Sequence, residues 1–285
     1  MIKAKKEISN ASVEEYRLKY AAERFLLRLE NSSYTEQFIL KGGFLMEAIY
    51  NIDQRTTKDV DTLLRDISAD KGTIENVLRD ICSIDLKDDT KFTLTSLITT
   101  QEQRNYTGFR AKIFLQFLGE PTRINFDLDI GVGDIITPKA IKTRLPLLFK
   151  EKNGEKEVIE ILSYPLQTIL AEKLETVLTL GTTNSRMKDF FDLHLLLTDP
   201  NLPSIEECYE AFRNTWEFRQ NNEFDVEIFD DWKFVLEDII ENRQINEIYW
   251  PNYVKNRNYA MNLKFSDIVY EVIRYVEELE VHSSK

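Results

Sequence analysis

The sequence predicts an α+β protein of two subdomains, an α/β half over residues 1–160 and a helical half over residues 161–285. Three observations carry this reading. Runs with period-two alternation and β-branched or aromatic residues cluster between residues 38 and 130. From Pro165 onward nearly every segment shows helical periodicity instead. The chain of 285 residues is 42% hydrophobic with 17 Phe and 12 Tyr, which supplies a sizeable core and excludes a disordered or fibrous protein.

Residues 12–30 read as an amphipathic helix, with Tyr16, Tyr20, Phe25 and Leu29 at helical spacing. FILKGG at 38–43 reads as a short apolar strand or turn that opens a helix through Tyr50. DVDTLLR at 59–65 reads as a strand and residues 71–84 as a helix. Three strand-like runs follow: KFTLTSLITT at 91–100, FRAKIFLQFL at 109–118 and TRINFDLDI at 122–130. The helical half is interrupted by TDPNLPS at 198–204 and by WPN at 250–252. No internal repeat or low-complexity tract is present.

Composition narrows the chemistry. Two cysteines, Cys82 and Cys208, and two histidines, His194 and His282, leave no material for a zinc cluster or a His-based triad. Catalysis would have to run on carboxylates, lysines or bound metal. No run approaches the roughly 18–20 apolar residues that span a bilayer, and MIKAKKEISN lacks the apolar stretch of a secretion signal. A cytoplasmic protein with no membrane partner is expected. The formal charge of −12 argues against DNA as a partner, because the phosphate backbone would be repelled. A local basic run exists at Lys139, Lys142, Arg144, Lys150, Lys152 and Lys156. It reads as a solvated loop or as a patch that guides an RNA backbone.

The chemistry-bearing segment is GGFLMEAIYNIDQRTTKDVD at 42–61. Gly42 and Gly43 permit a tight turn at a helix start, where free N–H groups favour an anion such as phosphate. Asp59 and Asp61 sit at i and i+2 of a strand and project from one face. A divalent cation between them would relieve their repulsion, and oxygen-only ligands favour Mg²⁺ or Mn²⁺. Removing either aspartate should leave folding intact or slightly improved. In INFDLDIGVGD a third carboxylate is expected, Asp129 or alternatively Asp127.

The helical half holds a misplaced charge. In PLQTILAEKLETVL, Lys173 lies within about 60° of Leu166, Ile169, Leu170 and Val177, in the middle of the apolar stripe. It either snorkels out or reaches an anion in a cleft, and Lys173→Met should preserve or raise stability. In NSRMKDFFDLHLLL, Lys188, Asp189 and Asp192 share a surface, as a salt-bridge network or as groups that orient Lys173.

Five pieces together, LKGGFLMEAIY, RTTKDVDTLL, FDLDIGVGD, PLQTILAEKLETVL and NSRMKDFFDLHLLL, resemble the AbiEii/AbiGii toxin family of nucleotidyltransferases from bacterial abortive-infection and type IV toxin–antitoxin systems. They occur in the family's order over residues 40–197. The resemblance implies a DNA-polymerase-β-like nucleotidyltransferase core, a mixed β-sheet flanked by helices, followed by a helical bundle. It implies nucleotide binding by Gly42, Gly43, Lys173 and Lys188, and Mg²⁺ or Mn²⁺ at Asp59 and Asp61. Asp129 is the third ligand or base, and Asp189 completes the catalytic set. Lys41 or a backbone N–H is expected to supply a further phosphate contact, and Arg55, just upstream of the DVD strand, reads either as a phosphate contact or as a surface residue. Where the wider superfamily carries Ser or Thr after the second glycine, this chain has Phe44, so a hydroxyl contact is missing or replaced.

The expected activity is metal-dependent transfer of a nucleoside monophosphate from a nucleoside triphosphate (NTP) to an acceptor hydroxyl. The resemblance makes the acceptor the tRNA 3′ end and implies a cognate antitoxin encoded nearby, in a system of antiviral defence. The alternatives are nucleotide transfer to a protein hydroxyl and a non-catalytic nucleotide-binding or interaction module.

Overall fold

The computed structural model describes residues 12–52, 59–101, 107–150, 156–255 and 257–284. The chain divides into two compact units, Met1–Asp134 with Ala140–Tyr164, and Ile135–Lys139 with Pro165–Lys285. The boundary near residue 164 is interrupted by a five-residue excursion that the sequence pattern did not mark.

In the first unit, α1 (Val13–Glu30) opens on a capping box, in which Ser12 and Glu15 each accept the other's backbone N–H. Its buried face, with Phe25, Leu26 and Leu29, packs on a sheet; the Phe25 ring meets that of Phe126 at 5.6 Å. Arg28 is fully buried, paired with Asp88 at 2.9 Å and bonded to Thr90, which ties the helix to the start of a strand. The remaining elements are β1 (Phe38–Lys41), α2 (Gly42–Tyr50), β2 (Asp59–Leu64), α3 (Lys71–Ser83), β3 (Thr90–Gln101), β4 (Thr107–Phe117), β5 (Arg123–Val132), β6 (Ile141–Lys150) and β7 (Lys156–Ser163). They form a seven-stranded mixed sheet in the order β3-β4-β5-β2-β1-β7-β6. The β2–β5 and β1–β7 pairs are parallel, and the other neighbours are antiparallel.

The basic run at 139–156 is where structure and expectation differ. Most of it is the edge strand β6, hydrogen-bonded to β7, rather than a solvated loop. Three charges, Lys142, Arg144 and Lys150, and Pro146 obscure the alternation. An edge strand tolerates proline because one row of its N–H groups has no strand to serve. Lys152 lies outside the described residues.

The second unit is helical: α4 (Leu166–Leu180), α5 (Met187–Leu197), α6 (Ile205–Gln220), α7 (Ile228–Glu241), α8 (Trp250–Val254) and α9 (Phe265–Ser283). Phe212, Trp216, Phe224, Phe229 and Trp232 pack ring to ring at its centre. The excursion Ile135–Lys139 belongs here through Thr137, which donates its N–H to Thr168 Oγ1 and accepts from Asn214. The expected break at WPN is instead a helical continuation. A π-turn over Ile245–Tyr249 precedes Pro251 and accommodates the N–H that proline cannot donate.

One carboxylate in the first unit is held at a cost. Where the β6–β7 register slips between Pro146 and Lys150, Leu148 and Phe149 donate their N–H groups to Glu23, which is 1% exposed. Burial pushes its carboxyl up to about 7, against the opposing pull of those N–H groups and of Lys19 and Arg24. The unfolded chain gives up this proton near pH 4.5 and the folded one near 7, so Glu23 favours the folded state below that window and loses its contribution as pH rises through it. Thermal unfolding of Glu23→Gln should therefore depend less on pH between about 4.5 and 7 than the wild type. The difference in slope is worth on the order of 3 kcal/mol across the window. Identical slopes would show that Glu23 is ionised in the folded protein throughout.

Candidate functional site

The centre of the sheet gathers the charges. Parallel pairing sets Asp59 opposite Asp127 and Asp61 opposite Asp129. On β4, Lys112 stands opposite Asp127 and Arg110 opposite Asp129, while on β1 Lys41 stands opposite Asp61. Paired residues share a face, so one face carries the row Arg110, Asp129, Asp61, Lys41 and beside it the row Lys112, Asp127, Asp59. The opposite face, with Val60, Thr62, Leu128 and Ile130, is buried. This alternation is why four aspartates can sit on adjoining strands without entering the core.

The like charges leave a mark on Asp59. Burial first, then the charges of Asp129 and Asp61, hold its carboxyl above the usual range, with Arg110 pulling the other way. Asp129 is clasped through both oxygens by Arg110 Nε and Nη2 at 2.6 and 2.7 Å. Asp61 Oδ2 accepts the N–H of Gly43 at 3.3 Å, at the start of α2. The helix N-terminus expected to meet phosphate therefore holds a carboxylate of the chain itself.

That contact explains Gly42. Its φ is +67°, and an added Cβ would lie 2.2 Å from Asp61 Oδ2. Both the backbone conformation and the space demand glycine. Phe44, in place of a hydroxyl residue, turns into the core and is 5% exposed. Lys41 pairs with Asp134, and its ammonium lies 5.4 Å from the centre of the Tyr164 ring, whose hydroxyl donates to the same carboxylate at 3.3 Å.

Sequence reading missed Arg110, Lys112, Asp134 and Tyr164. The first two alternate with buried Phe109 and Ala111, a signal that gains meaning only once β4 is known to lie beside β5. Arg55 lies outside the described residues.

The donors suit a hard divalent cation: all oxygen, half-buried, and drawn from adjacent strands, with one carboxyl pushed up by burial and by the negative charges beside it. Asp59, Asp61 and Asp129 would hold it. Among the described residues no group of three or more His, Cys, Asp or Glu side chains is gathered closely enough to bind a metal as it stands. Asp129 and Asp61 would have to exchange their present partners.

In the second unit Lys173 turns inward. Its ammonium pairs with Asp189, and with Asp192 at 3.0 Å; Arg186 adds a second contact to Asp189 at 2.9 Å. The two aspartates are 2% and 0% exposed. Lys188 is half-buried on the same helix. The apolar stripe around Lys173 thus carries a buried ion network between α4 and α5, not a snorkelling side chain.

These contacts revise two stability expectations. Asp59→Asn should raise the thermal midpoint, because it removes a carboxylate its neighbours disfavour. Asp61→Ala should lower it instead, with a loss of about 1 kcal/mol of stability, because α2 loses the acceptor at its N-terminus; a rise in both variants would rule out the Asp61–Gly43 contact. Lys173→Met should destabilise, by about 3–5 kcal/mol, because two buried carboxylates lose their ammonium. Replacing Asp189 and Asp192 with leucine in the same protein should restore much of that loss in a denaturant titration.

No curated protein matches the chain. Solved structures that align with it include JHP933 from Helicobacter pylori, at 11% identity over 96% of this chain and 94% of that one, with a TM-score of 0.49. MenT4, a nucleotidyltransferase toxin from Mycobacterium tuberculosis H37Rv, aligns at 13% identity over 95% of this chain and 93% of its own, also with a TM-score of 0.49. The family model described as nucleotidyl transferase AbiEii toxin, type IV toxin–antitoxin system, matches residues 24–259, a span that takes in the aspartate rows of the sheet and the ion network of the helices. The chain belongs to the AbiEii nucleotidyltransferase toxin family.

Proposed function

We propose that this toxin transfers a nucleoside monophosphate from an NTP to the 3′ end of tRNA in the cytoplasm, and that a cognate antitoxin restrains it. The observation that carries the reading is the parallel register of β2 and β5, which brings Asp59, Asp61, Asp127 and Asp129 onto one face. Mg²⁺ or Mn²⁺, when bound by Asp59, Asp61 and Asp129, supplies charge neutralisation at the phosphates and activates the attacking oxygen. The acceptor oxygen bonds to the α-phosphorus as the bond to pyrophosphate breaks, and the acceptor's proton passes to a carboxylate of this face. Gly42 leaves room for close approach at the start of α2. Lys173, with Lys188 and Asp189, is assigned to the nucleotide because these residues stand in the family's helical motifs.

Acceptor choice is supported by charge. The register places Lys142 and Arg144 of β6 on the sheet face that bears Asp59 and Asp61, and both are exposed. Three strand steps separate β6 from β2, roughly 14 Å at ordinary strand spacing. A polyanion can span that distance, whereas an isolated protein hydroxyl gains nothing from it.

The full chain incubated with total tRNA, Mg²⁺ and each labelled NTP in turn should label tRNA with at least one of them, and Asp59→Asn should abolish the labelling. Label on protein would favour transfer to a protein hydroxyl. Nucleotide binding with no transfer to either acceptor would favour a binding module. Charge reversal at Lys142 and Arg144 should weaken tRNA binding and flatten its salt dependence without changing NTP affinity.

A further inference from the structure

Two electropositive groups of this face, the Arg110 guanidinium and the Gly43 N–H, are engaged by its own carboxylates. Arg110 spends two N–H donors on Asp129, in the bidentate geometry that occupies both carboxylate oxygens. Gly43 offers its N–H to Asp61 in the same row. A guanidinium has one other partner of comparable fit, a phosphate group, and a triphosphate carries more charge than one carboxylate. Lys112 lies in the adjoining row opposite Asp127, exposed and of the same sign, and so provides an internal comparison.

We propose that Arg110 couples cation binding to triphosphate binding: its guanidinium withholds Asp129 from a divalent cation until the triphosphate of the incoming nucleotide takes the guanidinium over. Arg110 is then a positioning residue toward Asp129 and a binding residue toward the nucleotide. Asp61 undergoes the parallel exchange, leaving the Gly43 N–H to a phosphate oxygen. The two ligands therefore bind cooperatively, and a cation alone binds weakly. This inference rests on the nucleotidyl-transfer reading above.

The test is calorimetric titration of the full-length protein with Mn²⁺ alone, and separately with inorganic tripolyphosphate in metal-depleted buffer. The proteins are the wild type, Arg110→Gln, Arg110→Lys and Lys112→Gln, each checked for folding by its thermal midpoint. Arg110→Gln should bind Mn²⁺ about tenfold more tightly and tripolyphosphate about tenfold more weakly, the two shifts having opposite sign. Lys112→Gln should change either affinity by less than about threefold, since it removes the same charge without a carboxylate clasp. Arg110→Lys keeps the charge and loses the fork, so its Mn²⁺ affinity should still rise. Should Arg110→Gln fail to fold, that lysine variant carries the test. Equal shifts in Arg110→Gln and Lys112→Gln would reduce the effect to bulk charge and overturn the proposal. Unchanged tripolyphosphate affinity in Arg110→Gln would do the same. A wild type that binds neither Mn²⁺ nor tripolyphosphate, alone or together, would instead overturn the nucleotidyl-transfer reading, and this inference with it.

Discussion

Everything in the first unit is arranged around one electrostatic burden, four aspartates on two parallel strands about 4.8 Å apart. Such a cluster cannot enter the core, so the pleat keeps it on one face while the other packs under α1. It cannot stand alone either. The flanking strands answer it with Arg110 and Lys112 on one side and Lys41 on the other, and α2 contributes its N-terminal dipole. The order β4-β5-β2-β1 is therefore also an order of charge, positive at both sides and negative in the middle. Gly42 follows from the same constraint, because any side chain there would occupy the space of the Asp61 carboxylate.

The second unit handles charge in the opposite way. Lys173 and Glu175 are carried inward on α4 and neutralised there, the first by Asp189 and Asp192 and the second by Arg219, with Gln220 donating a hydrogen bond to the Glu175 carboxylate. Burying these groups is expensive, and their pairing fixes which helix faces meet more than it adds stability. A helix whose apolar stripe contains a lysine has few alternative partners, since the neighbour must supply a carboxylate at the right turn.

Much of this was legible from residues alone. The early helix, the GG turn, the DVD strand and the switch to helices after Pro165 all rest on local patterns, and local patterns survive without knowledge of neighbours. Asp59 and Asp61 could be placed together because a strand's period is two. Arg110 could not, because its meaning depends on β4 lying against β5. The β6–β7 hairpin was hidden for a different reason. Lys142, Arg144 and Pro146 are what an edge strand carries to discourage further pairing, so the features that protect the edge also disguise it as loop. Glu23 resembled an ordinary charged position on an amphipathic helix, and only the register slip in β6 gives its carboxylate something to hold.

The excursion Ile135–Lys139 bears on how the chain is assembled during synthesis. The polypeptide passes from the first unit to the second after Asp134, returns at Ala140, and leaves again after Tyr164. When the ribosome has released residues up to 164, every strand of the sheet is in hand, yet Thr137 still lacks Thr168 and Asn214. The nascent sheet must wait with a loop between β5 and β6 whose anchors have not yet been released. Neither unit can be excised as an uninterrupted stretch of gene without leaving a piece of the other behind. Genetic truncation at the apparent boundary would therefore strip the helical unit of a segment it holds by hydrogen bonds.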